Sequence, residues 1–278
     1  IPAHKLEYFC ENVLKRDWPQ SIHVYYFVKT IMKWRSMKSN LNVSLLSVGD
    51  DIEDGTFVGI MYSELGGANI IVYTQEQSCM KLSQALMYTE RIDWTTNPLF
   101  EAVLQKHTNV VHNTLATRGV RTKVYSQSGI LYMESEAAEQ VDPSAPEDVF
   151  LSTLETKHVP FIYSVWAHND IYTSSELEDT VRLNGGIGVF SSNDDLPLAW
   201  VMHTHYGGVG VLQTRSDQLK KGYGSLVTKG ITHVMGKMGI CPHACIMDKN
   251  SKSLALFKSI GYKRVSDIQY ISSGLSLD

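Results

Sequence analysis

The sequence predicts an α/β (α+β) protein of two tandem domains, and three observations lead there. Its 278 residues, at roughly 150 per domain, leave room for two. An acidic, proline-containing stretch, residues 134–148, falls near the midpoint. The halves on either side of it carry helix and strand signals in a similar order.

Composition narrows the function classes. With 43% hydrophobic residues the chain can bury a sizeable core and is not a disordered one. Lys plus Arg total 25 against 29 Asp plus Glu, a net charge of −4 that argues against a dedicated nucleic-acid binder. No run of roughly 18 uninterrupted apolar residues occurs, so neither a membrane span nor a membrane partner is expected. The opening Ile1-Pro2-Ala3-His4-Lys5 has no basic-then-apolar signal layout, and its lack of a methionine predicts a processed or incomplete N-terminus. Four cysteines, Cys10, Cys79, Cys241 and Cys245, are too few for a disulfide framework in a chain this long. The expectation is a soluble, reduced, intracellular protein, cytoplasmic or mitochondrial.

In the first half a helix is predicted over 18–37, then strands over 43–48 and 57–63. A turn at Gly66-Gly67 leads into the β-rich Ile70-Ile71-Val72-Tyr73-Thr74. Residues 134–148 hold no aromatic and read as an exposed connector between domains 1–148 and 149–278. In the second half a helix is predicted at 159–166 and another opening at the capping box Ser175…Glu178. A strand at 187–191, a turn at Asn193-Asp194-Asp195 and a strand at 198–205 follow. Gly207-Gly208 then leads into Val209-Gly210-Val211-Leu212. The repeated double-glycine hairpin is weak evidence of an old duplication.

Past Leu212 the residues begin to carry chemistry. Gln213-Thr214 closes the strand, and Lys220-Lys221-Gly222-Tyr223-Gly224-Ser225 forms a glycine-bearing loop. A helix follows with Leu226, Val227, Ile231, Val234, Met235 and Met238 on one face. A strand that ends in such a loop at a helix N-terminus can hold a phosphate. The glycines allow close approach, and free N–H groups and the helix dipole face the anion. Lys220 and Lys221 add charge at the rim; an ordinary glycine turn is the competing reading. Downstream, Ala244-Cys245-Ile246-Met247 reads as a strand and residues 254–260 as a short helix. Asn250 is its N-cap, Ser253 lies one turn inside, and Gly261 is its left-handed end. A strand returns at 262–265.

Two segments together, Leu219-Lys220-Lys221-Gly222-Tyr223-Gly224 and the later Asn250, Ser253, Leu256, Phe257, Gly261 and Tyr262, resemble the motifs of the GNAT superfamily of CoA-dependent N-acyltransferases. With Leu198-Ala199-Trp200, Thr214 and Ile92-Asp93-Trp94, the resemblance extends to the glycine N-acyltransferase-like branch. It covers nearly the whole chain, most specifically residues 185–265. It implies two tandem GNAT-like domains, each a mixed, mostly antiparallel sheet flanked by helices, the second holding acyl-CoA or acetyl-CoA as co-substrate. It implies that the backbone of Leu212, Gln213 and Thr214 pairs with pantetheine. Amides from Lys220, Lys221, Gly222, Tyr223, Gly224 and Ser225 would cradle the pyrophosphate, with Asn250 and Ser253 beside the pantetheine arm and Phe257 near the thioester. The matching segment of the first half, residues 75–81, has no glycine, so the first domain is expected to shape the acceptor pocket rather than bind CoA.

Three positions depart from the family pattern. Leu219 stands at the Arg/Gln of the loop, where backbone amides do most of the work. Phe257 stands at the usual tyrosine and cannot give a proton to the departing thiolate. Gly208 stands where the glycine N-acyltransferase branch usually has a glutamate base. His203 and His205, two apart on a predicted strand and so on one face, are the candidate replacement base, because imidazole titrates near pH 7. The competing reading is two polar residues on a solvated strand face. No third ligand is spaced to make them a zinc pair. Cys241-Pro242-His243-Ala244-Cys245 lacks a second cysteine pair, and Cys245 reads as a buried strand residue, so no metal is expected. Tyr206 and Tyr223 read as packing, and Phe161, Tyr163 and Trp166 as core at helical spacing.

The function these readings predict is an N-acyltransferase moving an acyl group from acyl-CoA to a small primary amine, such as an amino acid, by direct attack of the amine. Phe257 and Gly208 keep an alternative open, a catalytically weakened acyl-CoA sensor or scaffold. Acetylation of a protein substrate is a third.

Overall fold

The computed structural model describes residues 1–49 and 51–275. The chain runs α1 (Ala3–Tyr8), α2 (Ile22–Met37), β1 (Val43–Leu46), β2 (Phe57–Tyr62), β3 (Ala68–Tyr73) and α3 (Met80–Tyr88). It continues through β4 (Leu99–Leu104), α4 (Gln105–Thr117), β5 (Val120–Tyr132), α5 (Ser135–Glu139), β6 (Phe150–Thr153), α6 (Val159–Val165) and α7 (Ser174–Leu183). The remainder is β7 (Gly186–Ser191), β8 (Asp194–His203), β9 (Val209–Thr214), α8 (Tyr223–Lys237), β10 (His243–Met247), α9 (Ser251–Ile260) and β11 (Lys263–Leu275). These form two compact units. Unit 1 holds Ile1–Ile130, Met247–Lys249 and the chain from Val265 onward; unit 2 holds Leu131–Ile246 and Asn250–Arg264.

In unit 1 the strands lie in the order β1-β2-β3-β4-β11-β5. β1, β2 and β3 form an antiparallel meander, closed at Ser63–Gly67 by a turn in which Gly66 takes φ +87°. β3 and β4 run parallel and pair only at Asn69/Leu99 and Ile70/Phe100, while β11 lies antiparallel to β4. Val24, Phe27, Val28, Ile31 and Trp34 repeat at helical spacing and make the buried stripe of α2. That helix begins at Ile22, not at the expected Trp18. Trp18 precedes Pro19 and is held extended at ψ 136°, the conformation proline imposes on its predecessor.

Two histidines are sealed inside unit 1. His107 Nε2 lies 3.0 Å from the Thr74 carbonyl oxygen, and its ring meets Tyr73 edge-on. Burial pushes His23 down to about 3 and His107 down to about 4. Both rings are therefore neutral in the folded chain, whereas the unfolded chain takes up protons below about pH 6.5. Stability is full above that pH and falls as pH drops toward 4, by up to about 1.4 kcal/mol per pH unit for each ring. Urea titrations at pH 7.5, 6 and 5 should show a steadily falling midpoint; a constant midpoint overturns this account.

In unit 2 the antiparallel sheet has the order β6-β7-β8-β9. Both its faces are covered. Val189, Ala199 and Val201 pack with Leu226, Val227, Ile231 and Met235 of α8, while Phe190, Trp200 and Met202 pack with α6 and α7. That double burial explains why β8 reads as a continuous apolar run instead of an alternating one. β10 follows the end of β5, where the Met133 N–H donates to the Pro242 carbonyl at 3.0 Å.

Local geometry moves several expected boundaries here. The capping box is Thr173 with Glu176, each side chain accepting from the other's backbone N–H, two residues before the Ser175…Glu178 pair of the same spacing. The β7–β8 turn is Ser192-Asn193, because a two-residue hairpin puts Asp194 opposite Ser191 and inside the strand. Val234 of α8 and Met238 at its C-cap are exposed, at 41% and 58%. The width they leave is taken by Thr228 and Thr232, whose hydroxyls each donate 2.7 Å to a carbonyl one turn back, and by Gly230 and Gly236. Within 134–148, residues 135–139 are helical and Ala138 is buried, because α5 docks its backbone against Gly236. Cys245 is half-buried, and it is Cys241 that is buried.

Candidate cofactor site

The site is built on β9, the outer strand of the four-stranded sheet, so one edge offers N–H and C=O groups that no strand of that sheet pairs. Its ladder with β8 is bulged. Trp200 faces Gln213 and Met202 faces Gly210, leaving Val211 and Leu212 opposite Val201 alone. Val211 takes φ +53°, a strained conformation for a β-branched residue. β10 is not a hydrogen-bonded neighbour of β9. Just before β9, a Cβ at Gly208 would come 2.9 Å from the His243 carbonyl oxygen. No room exists there for the side chain of a carboxylate base.

At its other end β9 leads into a clamp. Arg215 bonds Asp194 at 2.5 Å and Asp217 at 3.0 Å, and its guanidinium sits 5.7 Å from the Phe161 ring centroid. The bonds from Asp217 and Asp194 raise Arg215, and Arg215 in turn helps hold both carboxyls below their ordinary range. Beyond the clamp, Lys220 has φ +64° and Gly222 φ +82°. Left-handed residues close together are one of the backbone conformations that can turn N–H groups toward a common point, as an anion nest requires. Gly222 is the N-cap of the 15-residue α8, which has no side-chain cap and no acid in its first turn. No side chain therefore caps its N-terminal N–H groups or offsets the positive end of its dipole. Gly224 lets β9 and the first turn approach, since a Cβ there would stand 3.3 Å from Thr214 Oγ1.

The other expected residues fall as follows. Leu212, Gln213 and Thr214 are half-buried on β9. The Gln213 side chain is occupied, donating to the Val165 carbonyl at 2.7 Å and accepting from the Ala167 N–H at 3.1 Å. Lys220 is exposed, Lys221 Nζ donates to Gln218 Oε1 at 2.9 Å, and Ser225 is half-buried in the first turn of α8. Tyr223 is buried, and its phenol is raised by that burial and by Asp148. Asn250 caps α9, its Oδ1 accepting from the Ser253 N–H at 3.1 Å, and Gly261 ends that helix at φ +115°. Phe257 is only 3% exposed and meets Tyr262 edge-on at 4.9 Å. The Tyr262 hydroxyl is itself engaged with Thr232 Oγ1 at 2.7 Å.

The two histidines do not share a strand face. β8 ends at His203, and His205 sits in the turn that follows, because the Thr204 N–H and Gly207 N–H close a tight loop onto the Gly208 and Thr204 carbonyls. Nor are they solvated: His203 is 8% exposed and His205 3%. His203 Nε2 lies 3.1 Å from the Gly207 carbonyl, and the His205 ring packs edge-on against Tyr206 and Tyr172. Sequence spacing did not reveal that Tyr206 and His243 join them; their rings are 5.8 Å apart although 37 positions separate them. Among the described residues no group of three or more His, Cys, Asp or Glu side chains could hold a metal ion, and no helix is long and apolar enough to cross a membrane.

Comparison with known proteins bears on this arrangement. A solved Drosophila protein superposes over 98% of this chain and 96% of its own with a TM-score of 0.86, at 19% identity. A tandem GNAT protein from the clavulanic acid biosynthesis pathway matches with a TM-score of 0.56 over 89% of this chain and 87% of its own, at 10% identity. A GCN5-related N-acetyltransferase from Kribbella flavida gives 0.54 over 87% and 94%, also at 10% identity. The chain has the GNAT fold. The family described as FR47-like protein matches residues 186–271, the span of the GNAT fold that contains β9, the loop and α9. A domain of unknown function (DUF5645) matches residues 1–114. No curated protein matches by sequence.

Proposed function

We propose that this chain is a CoA-dependent N-acyltransferase that moves an acyl group from acyl-CoA to a small primary amine such as an amino acid, with two GNAT-like domains in tandem and the second, 149–278, holding the cofactor. The observation that carries this reading is the left-handed loop Lys220–Gly222 at the uncapped start of α8, directly beyond the free, bulged edge of β9. Those residues fit a pyrophosphate and an extended pantetheine arm. Amides from Lys220 to Ser225 would bind the phosphates, and the backbone of Leu212, Gln213 and Thr214 would accept the arm as an added strand edge. Asn250 and Ser253 would flank it. Bound acyl-CoA would supply the activated thioester. The amine acceptor must lose a proton to attack, and His205 is the base we assign, with His203 the second candidate. An intracellular site of action, cytoplasmic or mitochondrial, is part of the same reading.

Calorimetric titration with acetyl-CoA and longer acyl-CoAs, followed by free-thiol release with glycine and other amino acids, tests it. Binding with thiol release supports the transferase, and absence of binding overturns it. Binding without release across a broad acceptor panel favours the sensor or scaffold, which the hydroxyl-free Phe257 and the crowded Gly208 support. His205→Ala should lower kcat by about 100-fold; an undiminished kcat removes His205 as the base.

A further inference from the structure

We propose that Arg215 is a positioning residue for the co-substrate, acting through a chain of side chains that holds the Lys220–Gly222 loop in its binding shape. The inference rests on the acyltransferase reading above. The chain starts on β8 and ends inside the loop. Arg215 Nη1 donates to Asp194 Oδ2 at 2.5 Å, and its Nε and Nη2 donate to the two oxygens of Asp217 at 3.1 and 3.0 Å. Gln218 Nε2 donates to the same Asp217 at 3.0 Å, and Gln218 Oε1 accepts from Lys221 Nζ at 2.9 Å. Consecutive hydrogen bonds thus run from a strand of the sheet to the residue before Gly222.

The anchored end is firm. The Arg215 backbone N–H donates to the Leu198 carbonyl at 2.9 Å, and the guanidinium lies 5.7 Å from the Phe161 ring centroid. Its planar fork bonds two carboxylates in fixed directions; a lysine ammonium would keep the charge and lose the fork. At the other end the Gln218–Lys221 bond closes around Leu219 and Lys220. Lys220 is held at φ +64°, and Leu219, 57% exposed, has no polar group with which to hold it. A residue with a side chain stays in the left-handed region only where its surroundings over-determine it. Lys221 Nζ also lies 6.0 Å from the Tyr223 ring centroid, which ties the far side of the loop to the first turn of α8.

A loop already in its bound shape has no ordering cost to meet when the ligand arrives. With a link broken, the loop samples shapes in which its amides point elsewhere, and affinity falls in proportion to the lost competent fraction. Links in series leave a distinct signature. Once one is broken, breaking the next removes nothing more, whereas independent contacts multiply their losses.

Calorimetry with acetyl-CoA on Arg215→Lys, Gln218→Met and the double variant measures that signature. Arg215→Lys should weaken binding about tenfold and Gln218→Met about fivefold, with the double variant at about tenfold rather than the ~50-fold of independent contacts. In turnover KM for acyl-CoA should rise by the same factors while KM for the amine keeps its wild-type value, a separation that general loosening of the fold would not give. Gln218→Met leaves the Arg215 clamp in place, so it carries the test should Arg215→Lys fail to fold. Undiminished affinity in either variant, losses that multiply, or a matching rise in the amine KM overturns the role of Arg215 and leaves the acyltransferase standing. A wild-type protein that does not bind acetyl-CoA overturns the acyltransferase reading and this proposal with it.

Discussion

Gly222→Asp should weaken acetyl-CoA binding by at least about 100-fold, equivalent to about 2.7 kcal/mol, while leaving the folded protein intact. The side chain has space, since nothing lies within 4 Å of the position a Cβ would take. Its φ of +82° strains most residues, but aspartate is among the few that tolerate the left-handed region. The new carboxylate would sit at the uncapped start of α8, take up the N–H groups and dipole that the proposed reading gives to the pyrophosphate, and repel it. Function and stability should therefore separate: calorimetry loses the binding signal and thermal unfolding moves little. Undiminished affinity in a folded variant would mean that the loop does not anchor the cofactor.

Gly236→Ala should destabilise the protein by about 2–3 kcal/mol, opposite in sign to the gain of up to about 1 kcal/mol that alanine ordinarily brings inside a helix. At Gly236 the last turns of α8 meet the backbone of α5. A Cβ there would collide with the Glu139 nitrogen and come 2.6 Å from the Ala138 carbonyl carbon, neither of which can swing aside as a side-chain tip could. Urea titration measures the effect directly; a variant as stable as wild type would show that α5 does not rest on α8.

The parts of the site legible in the sequence were those that a local backbone requirement writes into single residues. Gly222 and Gly261 must be left-handed, and Asn250 must cap a helix, so their residue types point to their places. What stayed hidden depends on partners distant in sequence. Nothing near Gly230 or Gly236 says that Leu151 and α5 press on them, so the buried face of α8 was drawn too narrow in glycine and too wide at Val234 and Met238. His205 reads as a strand residue because no glycine or proline interrupts the chain between Leu198 and Gly207, and the Thr204–Gly208 hydrogen bonds turn it out of the ladder. The packing of Tyr206 against Gly208 was hidden for the same reason: a glycine's missing side chain is visible in the sequence, but the ring that takes its place is not.

The interleaved allocation of β11 also bears on how the chain is made. A ribosome delivers residues in order, and N-terminal domains commonly fold as they emerge. Unit 1 cannot do so to completion. Its strand β4 pairs through Phe100, Val103 and Leu104 with Ile271, Gln269 and Ile268, which are synthesised only after all of unit 2. Until then β4 presents an uncovered edge to the cell, a template for pairing with the wrong chain. Vectorial synthesis thus leaves β4 of unit 1 waiting on a strand made only after unit 2, with its edge exposed during that interval.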